Sequence, residues 1–242
     1  MEINQNIAEF YDELYPVTEE QKVFFLKKFE QFKKPAKFLS LGCGTGYFEH
    51  LLAKQGLDVT GIEDSIELLE SANRRRRTQL MSVRYFNMNF LEMSHFLGKK
   101  FYNVISVLND NIIFNHDKTL MQKFFYDCHE LLSQDGIFII KVTNFQKFKS
   151  NKGFLLPQRN SIRASLKTEI LLENENYYAY QYLQNSSQKN VKITENAKVY
   201  PISKEEIFDF AKQTGFTEIN FYEDFKETEF CEQSNNIIAV LK

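Results

Sequence analysis

Short runs of β-branched and aromatic residues alternate with helical patterns over residues 36–145. In the helical stretches, apolar residues recur three and four positions apart, as expected of helices that bury one side. This alternation is typical of a parallel sheet with helices packed on both faces. The predicted strands are Lys37–Leu41, Val59–Ile62, Val83–Asn87, Tyr102–Leu108 and Ile137–Val142, and the predicted helices between them are Phe48–Lys54, Ser65–Arg75 and Leu120–Leu132.

Helices are also predicted before this region, and the pattern changes after it. Asn4–Tyr11 and Thr18–Phe32 have helical periodicity, and Gly136 is expected to end the helix before it in the left-handed conformation. Residues 146–161 are basic, polar and weakly periodic, which predicts a loop. The remaining predicted elements are two or three antiparallel strands at Lys167–Leu172, Tyr177–Leu183 and Val191–Val199, a helix at Ser203–Thr214 that Gly215 ends, and strands at Glu218–Tyr222 and Asn236–Leu241.

Together these elements predict an α/β fold with a seven-stranded, mostly parallel sheet and helices on both faces. An N-terminal helical cap precedes the sheet, and a small antiparallel β insert interrupts it before the last helix. We expect the cap to comprise residues 1–35, the core residues 36–145 with 201–242, and the insert residues 146–200.

Composition and charge exclude several classes of protein. The 30 basic and 32 acidic side chains give a net charge of −2, so bulk charge does not attract the chain to nucleic acid or an acidic membrane. We see no signal-peptide pattern and no uninterrupted apolar run of about 18 residues, and we therefore expect a cytoplasmic protein with no membrane partner. Three widely spaced cysteines without a metal-ligand pattern predict no metal site.

Three of the nine glycines lie within five residues, directly after the first predicted strand. Gly42, Gly44 and Gly46 therefore predict a tight turn into a helix, whose backbone can approach a ligand closely. Glu63 ends the next strand, where a carboxylate can accept both hydroxyl hydrogens of a ribose. Because Tyr47 replaces the last glycine of the dinucleotide pattern, the spacing indicates an adenosine-type cofactor other than NAD.

Several segments resemble class I S-adenosylmethionine-dependent methyltransferases. The strongest are the glycine segment FLSLGCGTG at Phe38–Gly46 and VTGIEDS at Val59–Ser65. The resemblance extends over residues 5–242 and implies a Rossmann-like core, S-adenosylmethionine as cofactor, S-adenosylhomocysteine as product, and no metal. Further matching segments are Phe101–Ile105, Leu131–Gly136, Tyr200–Ser203 and Thr214–Phe216.

The resemblance also implies a set of cofactor contacts. The glycine segment lines the methionine part, Glu63 holds the ribose, and Leu108 lies near the methyl group. Tyr11 belongs to a helix that closes over the cofactor in similar enzymes, and it faces the sulfonium, whose charge favours an aromatic face. The implied set is Tyr11, Leu41, Gly42, Cys43, Gly44, Thr45, Gly46, Glu63, Asp64, Asn89, Phe90 and Leu108, with Asp64, Asn89 and Phe90 at the adenine.

Three acidic residues typical of this family are absent. Ser40 stands where an aspartate usually precedes the glycines, Asn89 where an aspartate usually faces the adenine amine, and Asn103 where an aspartate usually opens the fourth strand. Serine and asparagine still form hydrogen bonds, so we expect weakened rather than lost binding. These departures leave open a methyltransferase-like binding module without turnover.

Polar side chains after the fourth and fifth strands are the catalytic candidates. Methyl transfer is an in-line displacement, so alignment of the acceptor is the main requirement. An amine or hydroxyl acceptor must also lose a proton, and Asp110 is the candidate base, with Asn111 and Tyr15 beside it and Asn109 and Asn144 as further polar candidates. The alternative for each is a residue that caps a helix or satisfies the backbone.

The insert and one basic run bear on the acceptor. Tyr178, Tyr180 and Tyr182 share one strand face, where they either contact an organic acceptor or pack on the domain beneath. Arg74–Arg77 could contact phosphate on RNA or DNA, although cations at a helix C-terminus usually face solvent. We expect methyl transfer to a nitrogen or oxygen atom of a small-molecule acceptor, by a monomer or homodimer. The alternatives are a binding module or an RNA or protein methyltransferase.

Overall fold

The computed structural model describes residues 2–76, 81–185 and 190–242, with side chains from Ile7 onward in these ranges. The elements are α1 (Glu2–Leu14), α2 (Glu19–Phe29), β1 (Lys37–Leu41), α3 (Tyr47–Lys54), β2 (Asp58–Glu63), α4 (Ile66–Arg76), β3 (Val83–Asn87), α5 (Met93–Phe96), β4 (Tyr102–Val107), α6 (Lys118–Leu131), β5 (Leu132–Thr143), β6 (Lys149–Ser150), β7 (Gly153–Leu155), β8 (Arg159–Asn160), β9 (Ala164–Glu173), β10 (Asn176–Asn185), β11 (Asn190–Val199), α7 (Lys204–Thr214), β12 (Ile219–Tyr222) and β13 (Asn236–Leu241).

Seven strands form the central sheet, in the order β12-β13-β5-β4-β1-β2-β3. The pairs among β1 to β5 are parallel, and β13 is antiparallel to both of its neighbours. The seven-stranded, mostly parallel sheet predicted from the sequence is therefore confirmed. The order reverses where β1 lies between β2 and β4, and ligands of such sheets bind beyond the carboxyl ends of strands at this switch point.

The first two helices form the predicted cap. Thr18 begins α2 by accepting a hydrogen bond from the Gln21 N–H at 3.1 Å, a common way to satisfy a free helix-end donor. Phe25 of α2 packs edge-on against Phe38 and Phe48 at centroid distances of 5.8 and 4.9 Å. These aromatic contacts fasten α2 to β1 and α3, next to the glycine loop.

The insert forms a second, antiparallel sheet in the order β11-β10-β9-β7-β6, with β8 paired to β9. Helix α1 packs on it through Ile7, Phe10 and Leu14, which share a hydrophobic cluster with residues of β9 and β10. Arg163 donates hydrogen bonds to Glu13 at 2.6 Å and Glu9 at 3.2 Å on the same helix. The cap and the insert thus make one roof above the carboxyl edge of the central sheet.

Several sequence predictions about this region are wrong. Residues 146–161 are not an unstructured loop, because a 3₁₀ helix at Phe145–Phe148 and the strands β6, β7 and β8 lie there. Strands of two or three residues are too short to produce a hydrophobic period.

Helix α6 ends at Leu131, and the left-handed residue beyond it is Asp135, with a φ of 58°, instead of Gly136. Aspartate tolerates this conformation through local hydrogen bonds.

Helix α7 carries a reciprocal cap at its first turn. The Ser203 hydroxyl accepts from the Glu206 N–H at 3.2 Å, and the Glu206 carboxylate accepts from the Ser203 N–H at 2.9 Å. We expect Ser203→Ala to lower the free energy of unfolding by about 1 kcal/mol, a decrease of roughly 2–4 °C in Tm, because the Glu206 N–H at the helix end loses its acceptor. Ser203→Thr keeps the hydroxyl and is the control; equal Tm values for the two variants would contradict the expectation.

No helix within the described ranges is long and apolar enough to span a bilayer.

Candidate active site

The loop after β1 depends on glycine at three positions. Gly42, Gly44 and Gly46 have φ values of +72°, +57° and +68°, a left-handed conformation that other residues rarely adopt. Neighbouring side chains also occupy the space where a Cβ would stand: the Asn111 Cγ lies 2.9 Å from that point at Gly42, and the Tyr85 Cζ 2.7 Å from it at Gly46. Glycine is therefore required at these positions both by the backbone conformation and by the side chains packed against the loop.

Glu63 connects this loop to the end of β2. Its two carboxylate oxygens accept hydrogen bonds from the Gly44 N–H at 2.8 Å and the Ser65 N–H at 3.0 Å. Only 9% of the residue is exposed, and burial raises the pKa of its carboxyl even though the N–H donors favour the charged form. Each oxygen keeps a second lone pair, so the carboxylate can still accept from a bound hydroxyl.

A cavity of about 900 Å³ lies beyond the carboxyl ends of β1, β2 and β4 and under the roof of α1 and the insert. This volume is near the upper limit for small-molecule sites. Gly42, Glu63, Asp64, Asn89 and Phe90 line one part, and Tyr15, Asp110, Asn111, Arg159 and Gln181 line another.

The first part offers an aromatic face next to polar side chains. Phe90 is partly buried against Phe124, at a ring-centroid distance of 5.6 Å. The Asn89 amide donates to Asp64 at 3.3 Å and accepts from the Leu91 N–H at 3.0 Å. The asparagine is therefore held in place by two partners, and the Asp64 carboxylate borders the cavity beside it.

The second part is centred on Asp110, a non-glycine residue with a φ of 66°. Its carboxylate accepts from the Thr143 N–H at 2.6 Å, the Thr143 hydroxyl at 3.0 Å and the Arg159 guanidinium at 3.3 Å. That guanidinium stacks 4.7 Å above the Tyr15 ring, and the Tyr15 hydroxyl also hydrogen-bonds Gln181. Burial raises the pKa of the Tyr15 hydroxyl, so it remains a neutral donor.

Helix α1 closes the glycine end of the cavity. The Tyr11 ring covers Gly44, stacks near Tyr15 at 4.8 Å, and its hydroxyl hydrogen-bonds Asn109. Burial and the nearby Glu63 carboxylate raise the pKa of the Tyr11 hydroxyl well above its usual value. One turn of α1 thus contacts the loops after β1 and β4 together.

The structure brings together many of the residues proposed from the sequence, but not all of them. Leu41 is buried in the core, because the strand alternation turns its side chain away from the edge that Gly42 reaches. Leu108 does not line the large cavity either: it packs in the phenylalanine-rich core, and Asn109 occupies the cavity wall. Cys43, Thr45 and Leu108 instead line a second cavity of about 30 Å³. Gly44 and Gly46 are covered by the side chains of Tyr11 and Tyr85, respectively.

Other side chains have roles that differ from those expected. Asn111 donates to the Gly42 carbonyl at 3.1 Å and so supports the glycine loop. Asn103 accepts from the Lys37 N–H at 2.8 Å and donates to the Ser133 hydroxyl at 3.0 Å, which joins β1, β4 and β5. The insert tyrosines Tyr178, Tyr180 and Tyr182 do not line the cavity, since Ala179 and Gln181 occupy the inner face of β10.

Sequence reasoning missed Arg159, Thr143 and Gln181. Arg159 lies in the segment that was predicted to be a loop, where the sequence has no hydrophobic periodicity. Gln181 lies between Tyr180 and Tyr182, and the prediction for this strand considered only the tyrosines. Thr143 ends β5 and could have been found from the rule that ligands bind at strand ends. Within the described ranges, no three histidine, cysteine or acidic side chains are grouped as metal ligands.

The cavity fits S-adenosylmethionine by the chemistry of its lining. Gly42 lines the cavity with backbone alone, the Glu63 carboxylate suits a ribose diol, and the Phe90 ring suits a purine face.

Sequence comparisons agree with this chemistry. Residues 32–215 match the family described as methyltransferase domain. A protein of Geobacillus sp. (strain WCH70) named as a methyltransferase is 26% identical over 147 residues, which are 59% of this chain, and the chain spans only 58% of that relative's length. The glycine/sarcosine N-methyltransferase of Aphanothece halophytica is 22% identical over an alignment of 250 positions, which covers 98% of this chain and 88% of that protein.

Solved structures with the same fold cover almost the whole chain. The CcbJ methyltransferase from Streptomyces caelestis has a TM-score of 0.79 at 18% identity, covering 98% of this chain and 95% of that one. An S-adenosylmethionine-dependent methyltransferase from Clostridium acetobutylicum has a TM-score of 0.78 at 18% identity, covering 99% and 98%. CalS10, an amino pentose methyltransferase from Micromonospora echinaspora with S-adenosylmethionine bound, has a TM-score of 0.68 at 14% identity, covering 98% and 97%. By its match over residues 32–215 and its fold, the chain belongs to the class I S-adenosylmethionine-dependent methyltransferase family.

Proposed function

We propose that the chain transfers a methyl group from S-adenosylmethionine to a nitrogen or oxygen atom of a small-molecule acceptor. The observation that carries this proposal is that one cavity reaches from Gly42 of the glycine loop and Glu63 to the polar cluster around Asp110 and Arg159. Its volume of about 900 Å³ has room for a cofactor and a small second molecule under the roof of the insert.

The names of two similar proteins favour a small amino compound as acceptor. One acts on glycine and sarcosine as an N-methyltransferase, and another acts on an amino pentose. An amine nitrogen is therefore the first acceptor class to test.

In this proposal the first part of the cavity holds the cofactor. Glu63 accepts hydrogen bonds from the ribose hydroxyls, Phe90 packs on the adenine, and Asn89 with Asp64 borders its edge. The glycine loop borders the methionine part, and the Tyr11 ring shields the sulfur from water. When bound, S-adenosylmethionine supplies a methyl group on a positively charged sulfur.

The second part of the cavity orients the acceptor. Both Asp110 oxygens already accept hydrogen bonds from Thr143 or Arg159, so we assign to Asp110 the placement of the acceptor and of Arg159 instead of proton removal. The neutral Tyr15 hydroxyl and the Gln181 amide are further hydrogen-bonding groups for an acceptor. Alignment of this kind contributes about 7–11 kcal/mol to a two-substrate reaction when it is accurate.

The contacts of the basic run argue against an RNA substrate. Arg75 pairs with Asp12 at 2.6 Å, and Arg74 lies 3.8 Å from Glu70. These arginines are already balanced by carboxylates, which reduces their value for phosphate contacts. Arg77, the last residue of the run, lies outside the described residues.

Calorimetric titration of the chain with S-adenosylmethionine and S-adenosylhomocysteine tests the proposal, followed by a screen of glycine, sarcosine, amino sugars and hydroxy acids for S-adenosylhomocysteine production. We expect binding of both ligands at micromolar concentration and turnover with at least one acceptor class. No binding at millimolar ligand would overturn the proposal, and binding without turnover across the screen would favour the binding module.

Glu63→Gln tests the ribose contact. We expect the affinity for S-adenosylhomocysteine to fall about 10- to 100-fold, because hydrogen bonds to a charged group contribute roughly 1.5–3 kcal/mol. Adenosine ligands that carry the 2′-hydroxyl should bind the parent more tightly than ligands that lack it, and this preference should become smaller in Glu63→Gln. Glu130→Gln, which removes an exposed carboxylate paired with Lys99 at 3.1 Å, is the matched control. An unchanged preference would show that Glu63 does not hold the ribose.

A further inference from the structure

A buried carboxylate lies behind the glycine loop and has no role in the site as described so far. Glu49 is the third residue of α3 and is only 2% exposed. The Ser40 hydroxyl hydrogen-bonds its carboxylate, while its second oxygen, Oε2, has no hydrogen-bond partner in the described part of the chain. A buried carboxylate with a free oxygen is costly unless a ligand or water satisfies it.

Glu49 borders the small cavity of about 30 Å³. Ser40, Cys43 and Thr45 line the same space, which is large enough for one group of the size of water or ammonium. This cavity shares four lining residues with the large one, namely Tyr11, Tyr15, Gly42 and Asn109. The small cavity is therefore a side pocket of the main site, at the glycine loop.

The surroundings of Glu49 contain acids and neutral groups and lack a paired cation. The charged or titratable side chains that face it are Tyr11 and Asp12 from α1, Cys43 from the glycine loop, Glu63 from β2 and Tyr85 from β3. Asp12 is already paired with Arg75, and no lysine or arginine of the described ranges forms an ion pair with Glu49. Burial, together with the nearby Glu63 and Asp12 carboxylates, raises the pKa of the Glu49 carboxyl to about 7.

We propose that Glu49 binds the ammonium group of the cofactor's methionine part, an assignment that rests on the proposed function. The aspartate that the family usually carries before the glycines is Ser40 here, and the hydrogen bond from Ser40 to Glu49 brings a carboxylate from α3 back to that point. The missing acid is thus supplied from another element of the fold.

Calorimetric titration with S-adenosylhomocysteine and with its analogue that lacks the amino group tests this contact. For Glu49→Gln we expect an affinity for S-adenosylhomocysteine about 10- to 100-fold lower, with the affinity for the analogue almost unchanged. Glu205→Gln removes a carboxylate from the first turn of α7, outside both cavities, and is the matched control. Equal preference for the amino ligand in the Glu49→Gln variant and the unmodified chain would overturn the assignment.

A second measurement needs no variant. Because the Glu49 carboxyl is protonated below about pH 7, and an ammonium favours its charged form, binding of S-adenosylhomocysteine near pH 6 should release a proton. Titrations in two buffers of different ionisation enthalpy count that proton, and the analogue without the amino group should release none. Affinity should also rise between pH 5.5 and 8 in the unmodified chain and stay flatter in Glu49→Gln.

These outcomes separate the two proposals. If neither ligand binds the unmodified chain, the proposed function fails and this assignment fails with it. If both ligands bind and neither the proton count nor the preference depends on the amino group, the function stands and Glu49 has only a structural role.

Discussion

Gly44→Val is expected to abolish binding of S-adenosylmethionine and S-adenosylhomocysteine. The residue has a φ of +57°, where a side chain costs about 1–2 kcal/mol and a β-branched one more. A Cβ at this position would also lie 2.5 Å from the Cζ of Tyr11, a ring that α1 and Tyr15 hold in place. Relief of this clash requires movement of α1 or of the loop, and the Gly44 N–H would then leave the Glu63 carboxylate.

Gly56→Val is the matched control for this variant. Gly56 also has a positive φ, of +86°, but nothing lies within 4 Å of the position of its Cβ. The control should therefore lose stability from backbone strain without a loss of binding. Calorimetric titration, with thermal unfolding measured beside it, compares the two variants. If Gly44→Val still binds S-adenosylhomocysteine within about tenfold of the parent, where tenfold corresponds to 1.4 kcal/mol, the glycine loop is not the cofactor site.

The central sheet could be predicted from the sequence because its strands and helices are long enough to show the spacing of apolar residues that is typical of each. β1 and β3 have the predicted bounds, and the capping residues Ser203 and Gly215 mark the ends of α7 correctly. The insert was harder, since Lys149–Ser150 and Arg159–Asn160 form strands only because β7 and β9 pair with them. Pairing over such short lengths leaves no local signal.

The glycine loop and Glu63 could be found from spacing, whereas the rest of the site depends on tertiary contacts. Arg159 reaches Asp110 across 49 residues of sequence, a contact that no local pattern encodes. The free oxygen of Glu49 likewise becomes visible only when α3 packs behind β1. The absence of an aspartate at Ser40 was visible in the sequence, but the hydrogen bond of Ser40 with the Glu49 carboxylate on the next helix was not.

Asp110→Asn is expected to lower kcat/KM for the acceptor about 10²-fold, because misplacement of the acceptor by about 1 Å has an effect of that order. An amide at this position can still accept from the Thr143 N–H, but its NH₂ group would then face Arg159, which only donates. The arginine would lose its ionic partner and leave its place above the Tyr15 ring. Affinity for S-adenosylhomocysteine should stay near that of the parent, because Glu63 and the glycine loop are untouched.

The Asp224 carboxylate provides a control with nearly the same hydrogen bonds. It accepts from the Thr228 N–H at 3.2 Å, the Thr228 hydroxyl at 3.0 Å and the Lys226 N–H at 2.9 Å, and it does not line either cavity. Asp224→Asn should therefore show any loss of stability that comes from replacing such a carboxylate, without a change in turnover. Steady-state kinetics with the best acceptor and calorimetry with S-adenosylhomocysteine distinguish the two sites. If both variants lose only stability, Asp110 holds the turn after β4 and does not place the acceptor; a selective loss of kcat/KM in Asp110→Asn supports the Asp110–Arg159 pair as the acceptor subsite.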